Sequence, residues 1–168
     1  IWTESGGSIS RLEMWVTSGG PSLSATANTV GNQTVTIGDG DVVCTSATLS
    51  AAQAAIDISA IEVTPSGTVA DDREVASVRL FHDVNSNQAL DVGTDMILGS
   101  GGYSANDTAT TITLNNAWTI QAGQSADLLV VTDFATSGTV NATYEAAITG
   151  ITASSGGNSV TPSGLPIN

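Results

Sequence analysis

Hydrophobic and polar positions alternate along this chain in short runs, each closed by glycine, proline, asparagine or aspartate. That is the signature of many short strands and few helices. In residues 8–17, Leu12, Met14 and Val16 fall on one face, with Ile9, Arg11, Glu13 and Trp15 on the other. Glycine pairs at 6–7 and 19–20 flank this strand as hinges, so it can be the first strand of its own sandwich or swing out to fill a neighbour. Residues 21–31 are polar and read as irregular. Runs at 33–37 and 42–49 flank Gly38-Asp39-Gly40-Asp41, which predicts a hairpin because glycine accepts positive φ. Residues 50–56 carry a capping-box pattern and alanines, the mark of a helical turn. Residues 56–63 alternate with a one-residue slip at Ser59-Ala60, which predicts a strand with a bulge, ended by Pro65-Ser66-Gly67.

Residues 75–81 are β-branched, aromatic and aliphatic and predict another strand, and Met96-Ile97-Leu98 begins the next apolar run. Between them lies a polar loop. Residues 99–102 and 106–107 read as loop, and 110–114 and 118–120 as two short strands broken by Asn115-Asn116. A turn is expected at 121–124. Leu128-Leu129-Val130-Val131 is apolar on both faces and belongs at the centre of a sheet. A strand over 139–148 follows, and from 154 onward the Ser/Gly/Pro-rich sequence reads as a tail or linker. Eight to ten short strands give an all-β sandwich. The expected division is an N-terminal segment 1–20, a sandwich domain 21–153 and a C-terminal tail 154–168, with no solenoid repeat.

Composition narrows the partners. Sixteen acids face three arginines (Arg11, Arg73, Arg79), lysine is absent, and the net charge is −13 over 168 residues. A polyanion repels nucleic acid and anionic lipid, so neither is an expected partner. Serine and threonine make up about a quarter of the chain, so hydroxyls do most of the solvating, as on exported surfaces. No helix of membrane length and no signal peptide is read in the sequence. The expected location is extracellular or at the cell surface. The single cysteine, Cys44, excludes an intrachain disulfide and reads as a small buried hydrophobe. Catalysis has little support: His82 is the only histidine, and no Gly-x-Ser-x-Gly elbow accompanies it. The chain is not expected to be an enzyme.

The polar loop holds the strongest chemical signal. Counting Asp83 as position 1, Asn85 is 3, Asn87 is 5, the Ala89 carbonyl is 7 and Asp91 is 9, with Asp95 at 13. A hard cation wants six to eight oxygens, and a looping chain supplies them at such spacing, so calcium is the expected cofactor. Gln88 stands at position 6, where glycine is usual. The competing reading is an Asn/Asp turn that caps its own backbone. Asn32, Asn106 and Asn141 each begin an Asn-x-Thr sequon and are candidate glycosylation sites.

The loop resembles the Asp-x-Asn-x-Asn-Gly loops of calcium-binding extracellular repeats. Strand, Asp/Asn loop, Asp95-Met-Ile-Leu-Gly99 and, further on, Ala122-Gly-Gln-Ser-Ala-Asp-Leu-Leu-Val-Val131 together resemble immunoglobulin-like modules of large bacterial and archaeal surface proteins. The resemblance spans residues 33–151. It implies an immunoglobulin-like antiparallel β-sandwich with scaffold or adhesive work. More loosely, the plan resembles filament subunits built by donor-strand exchange. Two functions therefore stay open. The first is a subunit of an extracellular filament, a homopolymer in which the strand at 8–17 (or the C-terminal tail) completes the sandwich of the next copy, with Ile9, Leu12, Met14 and Val16 at the contact. The second is an adhesive or carbohydrate-binding module, with Trp2, Trp15 and Trp118 available to stack on sugar rings.

Overall fold

The computed structural model describes residues 19–168. The strand expected at residues 8–17, with Ile9, Leu12, Met14 and Val16, lies outside the described residues, as do Trp2 and Trp15. In chain order the elements are β1 (Ser22–Asn28), β2 (Val42–Ala52), β3 (Ile56–Gly67), the short helix α1 (Asp71–Glu74), β4 (Val75–Asp83), β5 (Met96–Gly101), β6 (Thr110–Ile120), β7 (Ser125–Phe134), β8 (Tyr144–Ser155) and β9 (Asn158–Val160). They form two antiparallel sheets, ordered β1-β2-β7-β4-β5 and β6-β3-β8-β9, packed as an all-β sandwich.

The centre of the first sheet is β7, as the run of four apolar residues predicts. Leu128 and Val130 face the main core, while Leu129 and Val131 face outward, and all four are fully buried. Alternate strand residues point to opposite faces, so burying all four requires a cover on both sides. The inner cover is the second sheet, through Ile56, Ile58, Ile61, Val63, Ile112 and Ile148. The outer cover is smaller: Phe81 of β4, with Val43 and Leu90 packed against it. The slip at Ser59-Ala60 is a true bulge, since the register of β3 shifts between Ile58 and Ala60 against both β6 and β8. On β6 the same discontinuity falls between Thr113 and Trp118, so the two short strands expected there are one strand with an irregular middle.

Four expectations are corrected. Residues 22–28 are a strand: Leu23 and Ala25 alternate into the core among hydroxyls too small to announce it. β1, and not residues 33–37, is the antiparallel partner of β2. A turn does form, but over 36–39, where the Asp39 amide donates to the Thr36 carbonyl, and the Asp39 carbonyl accepts from the Phe134 amide and so ties the segment to β7. Residues 50–52 finish β2 instead of starting a helix. Gly99 and Gly101 are not loop but the end of β5. A side chain at Gly99 would sit 2.9 Å from the Thr113 carbonyl, so glycine lets β5 of one sheet rest on β6 of the other.

The C-terminal segment departs furthest from expectation. β9 pairs with β8, and Ile167, 2 % exposed, exchanges two main-chain hydrogen bonds with Ile148. Between them Ser163 donates to the Leu23 carbonyl and accepts from the Ala25 amide. Gly164 presses so close to the Ala25 carbonyl that no side chain fits. Residues 158–167 thus latch β1 of one sheet to β8 of the other. Ser/Gly/Pro composition suits single bridges and close approach as well as it suits a free tail.

Candidate functional site: the Asp/Asn loop and the sandwich edges

Residues 84–95 connect β4 to β5 and fold back over the outer face of the five-stranded sheet. Leu90 is the anchor, packed against Phe81, Leu129 and Val131. The carboxylates organise the backbone around it. Asp83, 1 % exposed, accepts the amides of Asn87 (3.3 Å) and Gln88 (2.7 Å). Asp95, 8 % exposed, accepts those of Val84 (3.1 Å) and Asp91 (2.7 Å). Asn87 Oδ1 accepts from the Ala89 amide at 2.9 Å. Asp91 accepts from the side-chain amides of Asn85 (2.8 Å) and Asn87 (2.7 Å), which hold its carboxyl below the usual carboxylate range. Gln88 takes a left-handed backbone at φ 62°, at the position where calcium loops place glycine.

The loop therefore brings Asp83, Asn85, Asn87, Ala89, Asp91 and Asp95 into one segment. Their donor types suit a hard cation. In their present arrangement they serve one another: Asp83 and Asp95 hold main-chain amides, and both asparagines turn N–H toward Asp91. Among the described residues no three His, Cys, Asp or Glu side chains converge as a metal centre would need. The geometry is that of a self-capping Asx turn. For a cation to enter, the Asn85 and Asn87 amides would have to rotate and present oxygen.

His82 is half-buried, its ring 5.1 Å from that of Trp118 and tilted 47° to it. Trp118 itself is 7 % exposed and offers no open face to a sugar. Cys44 packs against the core, and burial pushes its thiol up, against a smaller lowering by Thr132. The three sequon asparagines are all exposed. Asn32 lines a cleft of about 460 Å³ between residues 29–33 and Gln88–Leu90. Asn141 sits at φ 61°, in a turn. Asn106 alone has its side chain engaged, by Asp71 and Asp107.

Two features had no signal in the sequence. Arg79 bonds both Asp41 (2.7 Å) and Asp133 and lies over the Phe81 ring at 5.5 Å, fastening the segment after the 36–39 turn to the sheet. Burial pushes the Asp133 carboxyl up, but Ser77, the Asp41 amide and Arg79 together hold it below the usual range. The second is the seam between β5 and β6. These are end strands of the two sheets, lying side by side without pairing. They touch through Gly99, Gly101 and Ile112, and then part where β6 becomes irregular. There a cleft of about 80 Å³ opens, lined by Met96, Ile97, Leu98 and residues 115–118. Met96 and Ile97 are 50 % and 46 % exposed. No helix among the described residues is long and apolar enough to cross a membrane. In comparisons with known proteins, no family model matches the chain and no curated protein is significantly similar to it.

Proposed function

We propose that this protein is a structural subunit of an extracellular filament, an immunoglobulin-like module that joins copies of itself head-to-tail by strand donation, and not an enzyme. The carrying observation is the asymmetry of the two sides of the sandwich. One side is latched, with residues 158–167 bonded to both sheets. On the other, β5 and β6 are both end strands, unpaired on their outer edges among the described residues. The eleven residues of β6, TTITLNNAWTI, include no charge and no proline, the devices that normally blunt an edge. An added strand would take its main-chain bonds from such an edge and set alternate side chains into the seam. Residues 8–17 of a neighbouring copy are the proposed donor, with Leu12, Met14 and Val16 facing the seam and Ile9 completing the contact. Head-to-tail contacts repeat without closing, which makes a fibre.

Calcium in the 83–95 loop and glycans on the sequons belong to the same reading. Asn32 and Asn141 are the favoured glycan acceptors, because modifying Asn106 would disturb the bonds its side chain makes. With Trp118 buried, nothing among the described residues favours the carbohydrate-binding alternative.

The test is deletion of residues 1–17. Electron microscopy of the native protein should show fibres, and the truncated protein should remain a folded monomer. Unchanged fibres from the truncated form, or a full chain that stays monomeric at high concentration, would overturn the proposal.

A further inference from the structure

Asp71 opens α1, just ahead of β4, and is 1 % exposed. Its partners come from residues 106–107, in the connection between β5 and β6. The Asp71 amide donates to Asn106 Oδ1 at 2.9 Å, and the Asp107 amide donates to Asp71 Oδ2 at 3.0 Å. Asn106 Nδ2 in turn donates to Asp107 Oδ2 at 2.8 Å. Asp71 Oδ1 is left over, buried and without a hydrogen-bond partner among the described residues. A buried carboxylate oxygen in that state is costly, and native proteins rarely leave one without a reason. Among the described residues no cation pairs with it: Arg73, two residues on, is 76 % exposed and lies 3.6 Å from Asp72 instead.

We propose that Asp71, Asn106 and Asp107 form a binding site for a calcium-like divalent cation, with Asp71 Oδ1 as its buried ligand. Two carboxylates and an amide oxygen are the donor types such an ion takes, with water completing the shell. The electrostatics agree with the geometry. Burial, and then the negative charges of Asp107 and Asp72, push the Asp71 carboxyl up, although the Asp107 amide bond lowers it. A bound cation reverses the repulsion and satisfies the stranded oxygen together. Tyr103, three residues before Asn106 in the chain and 8 % exposed, gives the site an aromatic reporter near in sequence. The site is separate from the 83–95 loop, because the nine residues of β4 stand between them, about 27 Å of strand. It is independent of the filament proposal, which needs no metal here.

Calcium binding to the full chain, measured by equilibrium dialysis with radioactive calcium, tests it. Asp71→Asn and Asp107→Asn should each bind one calcium fewer per chain than the parent, with unchanged circular dichroism. Asparagine tolerates the left-handed backbone of Asp107 (φ 53°), so the second variant keeps the test alive if the first fails to fold. Terbium in place of calcium should show tyrosine-sensitised emission that Tyr103→Phe diminishes. Asp83→Asn serves as the control for the loop. Unchanged stoichiometry in both Asp71→Asn and Asp107→Asn, binding lost only in Asp83→Asn, or no calcium bound by the parent would each overturn the site.

Discussion

Asp133 and Asp71 are both mostly shielded acids, and they carry opposite signs. The Asp133 carboxyl is held below its ordinary range, so its contribution to stability is present above the unfolded value of about 3.9 and is lost as pH falls through the folded value. Asp133→Asn should cost about 1 kcal/mol at pH 7, and the difference from the parent should vanish in strong acid. Asp71 is raised, so its charge opposes folding: the penalty is absent below about 3.9 and grows as pH rises toward the folded value. In chelator at pH 7, Asp71→Asn should melt no lower than the parent. Asp83 differs again, because it holds two main-chain amides. Asp83→Ala should lose about 1–3 kcal/mol even in chelator, by urea titration. With calcium present the parent should melt higher, and Asp83→Ala should show a smaller calcium-dependent rise, the remainder belonging to the separate Asp71 site. An unchanged parent melt on chelation would remove calcium from the loop.

Among the elements, the glycines of β5 and the C-terminal latch are the exacting contacts. Gly99→Ala places a methyl against the Thr113 carbonyl and should cost about 1–3 kcal/mol by forcing β5 away from β6. Ile167→Ala should cost about 2–4 kcal/mol, the range of a fully buried aliphatic truncation, measured by chemical denaturation. How legible these elements were follows from what holds each in place. The centre of the five-stranded sheet was plain, because residues 128–131 are apolar on both faces and only a covered strand tolerates that. The bulge in β3 was plain as a broken alternation at Ser59-Ala60. β1 was hidden, since Leu23 is its one large apolar residue. The latch was hidden because main-chain bonds and close packing at Gly164 leave no hydrophobic pattern. The glycines at 38 and 40 announced a turn, which closes two residues earlier at 36–39, and a turn signal does not say which strand lies alongside. The loop was legible as an Asp/Asn segment, while the pairing of Asp71 with residues 106–107 depends on contacts 35 positions apart in the chain.

At the scale of the whole molecule, charge and edges pull against each other. With a net charge of −13, copies repel, while the seam between β5 and β6, unpaired among the described residues, is where the proposed assembly makes its contact. Salt screens the repulsion over a distance of about 10 Å at 0.1 M, so fibre growth in the proposed assembly should speed up as sodium chloride rises through that range, by light scattering. A lysine on the edge should act oppositely: Asn116→Lys, at an exposed position of β6, should slow or stop fibre formation without lowering the melting temperature. Fibres that grow equally well with Asn116→Lys would argue for a contact elsewhere.

The latch also sets the order in which the molecule comes into being. Ser163 meets Leu23 across 140 positions, and Ile167 meets β8, so residues made late complete strands made early. Contacts so distant in sequence slow folding, because a long loop must close before they reward it. While the chain is being synthesised, the outer side of β1 and the free edge of β8 stay bare until the C-terminal segment arrives. With β5 and β6 also unpaired on their outer edges among the described residues, that interval is when two copies are most exposed to mispairing. The nascent chain therefore depends on prompt delivery of residues 158–167, and truncations inside them should yield aggregates from translation onward, not folded protein of reduced stability.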